Sequence, residues 1–190
     1  MLGLLKRNLK YCPPECKKLG YTSLVRSSLE YASIIWDPYQ QGDIDRLERV
    51  QRRAARFISG NYTSCEEGFM TRLLEELELP ALKTRRKTDK LCTMYKIVNS
   101  QFPALQHDQF LTLLPTRRRV KPTQYRDHID DNIIRNQVNN NSKAFKYIHC
   151  KTPQYKHSFF PSTIIDWNGL TDMQVCAQNV DIFRGRLACR

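Results

Sequence analysis

The sequence predicts a mainly α protein, an antiparallel helical bundle followed by a small C-terminal part that contains a β-hairpin. Three observations predict it. Residues 43–58 (DIDRLERVQRRAARFI) form the most two-faced helical pattern in the chain. At about 100° per residue, Ile44, Leu47, Val50, Gln51, Ala54, Phe57 and Ile58 share one side. Arg46, Arg49, Arg52, Arg53 and Arg56 share the other, within an arc of roughly 120°. A second amphipathic run, residues 15–36, is joined to it by a short loop through Gly42, and two such helices pack as an antiparallel pair. Downstream, Phe145, Tyr147 and His149 alternate with period two, which predicts a strand of a hairpin.

The elements follow in order. Met1 to Leu9 reads as the last turns of a helix that begins upstream, and is too short and too basic for a signal sequence. Pro13 and Pro14 break the chain and suit a helix start. The helix over 15–36 places Leu24, Ser28, Tyr31 and Ile35 on one side, with Val25 and Ala32 on its flank. Gly20, which costs about 1 kcal/mol against Ala in mid-helix, marks a close approach. Asp37-Pro38 ends the helix, because the residue before Pro avoids helical backbone. In the arginine helix Asp43 suits the first-turn cap, Asp45 and Glu48 the positive helix start, and Gly60 a left-handed stop.

A short helix is expected over 66–77, and a longer one from Pro80 to about Asn99. The longer one carries a core stripe of Leu82, Leu91, Met94, Tyr95 and Val98 and a cationic section of Lys83, Arg85, Arg86, Lys87 and Lys90. Composition then shifts: no Glu follows Glu78, and Asn clusters at Asn132, Asn136 and Asn139–Asn141. Residues 101–142 therefore read as loop-rich, and Arg117, Arg118, Arg119, Lys121 and Arg126 make the densest positive run in the chain. A helix from about Pro161, with Phe160, Ile164 and Trp167 inward and Asn168-Gly169 as its stop, precedes a last helix packing Val180, Phe183 and Leu187.

A chain of 190 residues buries a real core, and 41% hydrophobic and 26% charged residues are ordinary for a globular protein. The net charge of +12 points to an anionic partner, of which nucleic acid is the commonest. Residues 1–100 carry 18 Lys+Arg against 12 acids, and residues 101–190 carry 13 against 7, so each half is +6. That balance argues against a basic tail on a neutral domain. Seven scattered cysteines, an odd number, read as reduced thiols of an intracellular protein. No apolar run approaches the roughly 20 residues that span a bilayer.

The stretch LVRSSLEYASIIWDPY (24–39) followed by DIDRLERVQRRAARFI resembles the region after the polymerase palm in reverse transcriptases of non-long-terminal-repeat retrotransposons, particularly the jockey-like group. Family members typically read "LVRPxLEYAsxvWxPy" and then "iexlEkVQrraxRfi"; Ser27 stands here where Pro is usual. LELPALKTRRKTDKLCTMYKIVN (77–99), KHSFFPSTIIDWNGL (156–170) and NVDIFRGRL (179–187) continue in the family's order, so the resemblance covers nearly the whole chain. It implies that residues 1–100 are a helical, thumb-like region, the element that grips a template–primer duplex behind the active site. Residues 101–142 are then a loop-rich basic linker, and 143–190 a small α+β region.

Reverse transcription needs carboxylates that hold two divalent metal ions, and in this family they come from a palm hairpin with an aromatic–Ala–Asp–Asp turn. That turn does not occur in this sequence. Asp130-Asp131 is the only adjacent pair of aspartates, and its polar surroundings have no apolar strand before them. Cys12 and Cys16, and His149, Cys150 and His157, lack a zinc-knuckle spacing. There is no glycine-rich phosphate loop. The chain is thus expected to be catalytically inert, without metal or cofactor, and to be the partner of a missing palm and fingers.

Two readings of its basic faces stay open. The arginines of 46–56 are either a solvated face or a phosphate-facing stripe, since Arg offers a fork of donors and keeps its charge. Arg46, Arg49, Arg53 and Arg56 are the leading duplex contacts, followed by Arg85, Arg86, Arg117, Arg118 and Arg119. Aromatics among lysines in 141–167 either stack on bases or pack on the helices. The alternative function is a decayed or domesticated remnant acting as a helical protein-interaction or structural domain.

Overall fold

A computed structural model describes residues 1–64, 66–102, 110–114 and 141–188. These residues are mostly helical, and the chain divides between Lys87 and Thr88 into two compact units. The division falls inside a helix.

The first unit holds α1 (Leu2–Asn8), α2 (Pro14–Gly20), a π-helical turn (Tyr21–Arg26), α3 (Ser27–Glu30), α4 (Ser33–Trp36), α5 (Gln41–Ser59), α6 (Phe69–Glu76) and the first turns of α7 (Leu82–Val98). Its core gathers Leu5, Tyr21, Val25, Ala54, Phe57, Ile58 and Leu79. Helix α5 is the scaffold. Ile44, Gln51, Ala54, Phe57 and Ile58 are buried as the period requires, Leu47 and Val50 are half-buried, and Ala55 joins them. Gly60 ends the helix with φ 74°, a left-handed geometry that suits a residue without a Cβ. The expected Asp43 cap is not made. The helix begins earlier, at Gln41, so Asp43 lies inside the first turn and pairs with Arg46 at 2.9 Å.

The preceding helix packs antiparallel on α5: the Lys17 ammonium lies over the Phe57 ring, while Tyr21 bonds Gln51. At Gly20 a Cβ would meet Leu9 Cδ1 at 2.9 Å and Leu5 Cδ2 at 3.5 Å, so this glycine is where α1 crosses.

The expected single helix over 15–36 is corrected in two ways. Its middle turn is π-helical, and the helix ends at Glu30, after which Ala32 takes a left-handed φ of 51° and α4 starts afresh. The wider π turn rephases the faces. Tyr21 and Val25 point inward, whereas Leu24, Tyr31 and Ile35, the expected shared side of the helix, are exposed. Four hydroxyls, of Thr22, Ser23, Ser27 and Ser28, donate back to carbonyls of their own helix. Such back-bonding competes with the backbone ladder and bends helices.

The second unit holds the rest of α7, then α8 (Pro153–Lys156), α9 (Phe159–Asn168), α10 (Asp172–Val175) and α11 (Val180–Ala188). Leu91, Met94, Tyr95, Ile97, Phe145, Ile164, Trp167, Val175 and Phe183 form its core. The α7 stripe is buried as expected at Leu82, Leu91, Met94 and Tyr95, with Val98 half-buried. Tyr95 stacks on Phe183, ring centroids 4.7 Å apart, and donates its hydroxyl to the Ala177 carbonyl at 2.6 Å.

The expected β-hairpin is not formed. Among the described residues there is no strand, only an isolated antiparallel bridge between Leu113 and Phe145. Pro153, preceded by the Thr152 side-chain cap, starts α8 where a return strand would run, and Phe159 and Phe160 begin α9. A side chain from α9 serves Phe145 in place of a second strand: Asn168 Nδ2 donates to the Phe145 carbonyl (2.8 Å) and Asn168 Oδ1 accepts from its amide (2.9 Å). Phe145, Tyr147, Phe159 and Phe160 pack on the core, so packing rather than base stacking accounts for these aromatics.

Candidate nucleic-acid interface

The arginine side of α5 faces solvent. Arg46, Arg49, Arg52 and Arg53 are exposed and Arg56 is half-buried. The acids of the same helix are already engaged at its beginning. Asp43 holds Arg46, Asp45 accepts from Gln41 Nε2 at 2.8 Å, and Glu48 accepts from the Lys83 amide at 2.8 Å. The Glu48 carboxylate thereby serves an orphan N–H at the start of α7, across 35 residues of sequence.

With those acids occupied, Arg49, Arg52 and Arg53 form no ion pair among the described residues. Three guanidinium groups within about two turns of one helix make a cationic ridge. Each is fixed in charge and presents planar N–H donors to a phosphate.

The other predicted contacts fare differently. Arg56 donates to the Tyr62 carbonyl (2.8 Å) and the Ser64 carbonyl (3.2 Å), and so holds the loop after α5 instead of reaching outward. Arg85 is bonded to the Glu30 carboxylate through both Nε and Nη2. Arg86 is only 1% exposed and bonds Asp37 Oδ1 at 2.6 Å, while its two η nitrogens find no acceptor among the described residues. These two arginines tie α7 to the turns around α4, and Arg86 offers no surface to a duplex. Arg117, Arg118 and Arg119 lie outside the described residues, as does the Asp130-Asp131 pair.

Arg52 belongs to the ridge although sequence reasoning ranked it below Arg56. The signal was present: Arg52 lies at the edge of the arc away from the core, and Arg56 precedes a turn rich in carbonyl acceptors. In the second unit, Lys151, Tyr155, Lys156 and His157 are exposed on and around α8. Partial desolvation of the ring, then Lys156 and Lys90, lowers the His157 pKa from its ordinary value.

Among the described residues no three His, Cys, Asp or Glu side chains gather as a metal site, and no helix is long and apolar enough to cross a membrane. Burial pushes the Cys92 thiol up, which makes it a packing group at neutral pH rather than a nucleophile. No protein family, curated protein or solved structure matches this chain.

Proposed function

We propose that this chain is the thumb and downstream region of a retroelement RNA-directed DNA polymerase, of the jockey-like non-long-terminal-repeat kind. In this reading it holds a template–primer duplex, while the catalytic carboxylates belong to a palm carried elsewhere. The observation that supports the reading most is the ridge of Arg49, Arg52 and Arg53, exposed and without an ion pair among the described residues. Arg46 extends it at the helix start. A duplex presents phosphates at regular spacing, and a rigid row of guanidinium groups positions it without reading its sequence.

The test is fluorescence anisotropy with a labelled RNA–DNA hybrid at low salt. Saturable binding by the full chain is expected, with at least a tenfold loss when Arg49, Arg52 and Arg53 become Gln. Equal binding by the variant removes the reading. The chain alone is expected to extend no primer with magnesium or manganese.

A second reading has its own observation. Tyr31 and Ile35 are 80% and 88% exposed, which favours a protein-binding helical domain over a solvated scaffold.

A further inference from the structure

Residues 19–39 turn an apolar strip to solvent on a chain that is otherwise strongly cationic. Leu19, Leu24, Tyr31, Ile35, Trp36 and Tyr39 are all large and exposed. Leu19 and Leu24 are one π turn apart, and Ser28 and Tyr31 carry the row onward at helical spacing. The strip then passes the left-handed Ala32, a conformation strained for a non-glycine residue. Trp36 Nε1 donates back to the Tyr31 carbonyl at 2.7 Å, which clamps the two ends of the turn together. The strained turn is therefore held in shape while it shows Tyr31 and Ile35 outward.

Several polar groups along the strip are also turned back into the chain. The hydroxyls of Ser23, Ser27 and Ser28 are spent on their own helix. The two acids that bracket the turn, Glu30 and Asp37, are drawn inward onto Arg85 and Arg86. No charge is left pointing outward between Tyr31 and Tyr39. Between Tyr31 and Tyr39 such a surface offers no cation to a phosphate backbone. It fits another apolar, uncharged surface.

We infer that this strip joins two copies of the chain about a two-fold axis. The area carries the choice of occupant. The six side chains expose on the order of 600–800 Å², taking ~150–250 Å² for each fully exposed aromatic. Strip on strip thus removes roughly 1,200–1,600 Å² in all, within the range of stable interfaces. A two-fold contact needs only this one self-complementary patch. Two cationic chains repel, but the repulsion is long-range and screened by salt, whereas apolar burial is not. Self-association therefore strengthens as salt rises, the reverse of phosphate binding, so its failure and that of the duplex-binding reading are separable.

Sedimentation velocity on the full chain across the micromolar range, at low salt and in half-molar sodium chloride, tests this. A monomer–dimer equilibrium is expected that tightens at high salt, with Trp36 emission shifting to the blue as dimer forms. Tyr31→Ser with Ile35→Ser should weaken it at least tenfold, and Leu24→Glu should do so independently, with unchanged circular dichroism. A chain that stays monomeric at both salts overturns the inference. So does a dimer indifferent to all three substitutions, or capture of the strip by a different protein without self-association.

Discussion

The carboxamide of Asn168 satisfies both backbone groups of Phe145, donating to its carbonyl at 2.8 Å and accepting from its amide at 2.9 Å. Phe145 is fully buried, so neither group has water to fall back on. A second asparagine completes the arrangement. Asn141 Nδ2 donates to the carbonyls of Trp167 (2.9 Å) and Leu170 (3.1 Å) at the end of α9, while Trp167 Nε1 donates to the Lys143 carbonyl at 2.8 Å. The segment 141–147 is held to α9 by side-chain amides and an indole instead of a sheet.

Asn168→Leu leaves a buried N–H and C=O without partners, at about 1–3 kcal/mol each. Urea denaturation is expected to show a loss of about 2–5 kcal/mol for the transition that reports the second unit. Asn168→Asp should lose at least as much, because a carboxylate cannot donate to the Phe145 carbonyl and buries an unpaired charge against it. A loss below about 0.5 kcal/mol for both variants contradicts this role.

Tyr21 is buried, and its hydroxyl donates to Gln51 Oε1 at 3.1 Å, while Gln51 Nε2 donates to the Pro80 carbonyl at 3.0 Å. Burial, partly offset by Arg26, raises the phenol well above its ordinary value of 10.0. The unfolded chain therefore releases this proton first as pH climbs. Between the two values the unfolded state binds fewer protons, so stability is intact below about pH 10 and falls above it. Tyr21→Phe should flatten that alkaline decline, and should lose about 1–2 kcal/mol at neutral pH because Gln51 Oε1 is orphaned. Thermal melts at pH 8 and above pH 10 distinguish the two effects; an alkaline slope equal to that of the native chain sinks the assignment.

Arg86 is buried and its partner Asp37 is partly so, which makes removing one of them worse than removing both. Asp37→Ala is expected to destabilise by about 3–5 kcal/mol, by leaving an uncompensated guanidinium inside. Asp37→Leu combined with Arg86→Met should recover most of that loss, since no charge is then buried. If the double variant is as unstable as the single one, the pair is not the energetic unit described.

Helix α5 was legible in the residues because its period, its glycine stop and its segregated arginines agree with one another. The stripe of α7 and the inward faces of α9 and α11 were legible for the same reason. Three things were not. The π turn at Tyr21–Arg26 and the break at Ala32 contain no glycine or proline of their own, and they reverse which side of that helix is buried. The burial of Arg86 depends on an acid 49 positions earlier, which local charge patterning cannot see. The strand-like pattern at Phe145 was real, but its partner is a side chain at Asn168, and alternation does not reveal what supplies the second row of hydrogen bonds.

The salt dependence of duplex binding tests the central claim most directly. Each phosphate contact adds about 0.9 to the slope of log affinity against log salt for B-DNA. With Arg49, Arg52 and Arg53 changed to Gln, which keeps helix propensity near that of Arg, the slope should fall by roughly 2–3 units. The circular dichroism melt should stay unchanged, since these side chains touch nothing in the core. Arg86→Met, in contrast, should leave the slope of the folded protein unaltered. A triple variant that keeps the native slope would contradict the account and leave α5's basic side as a solvated face.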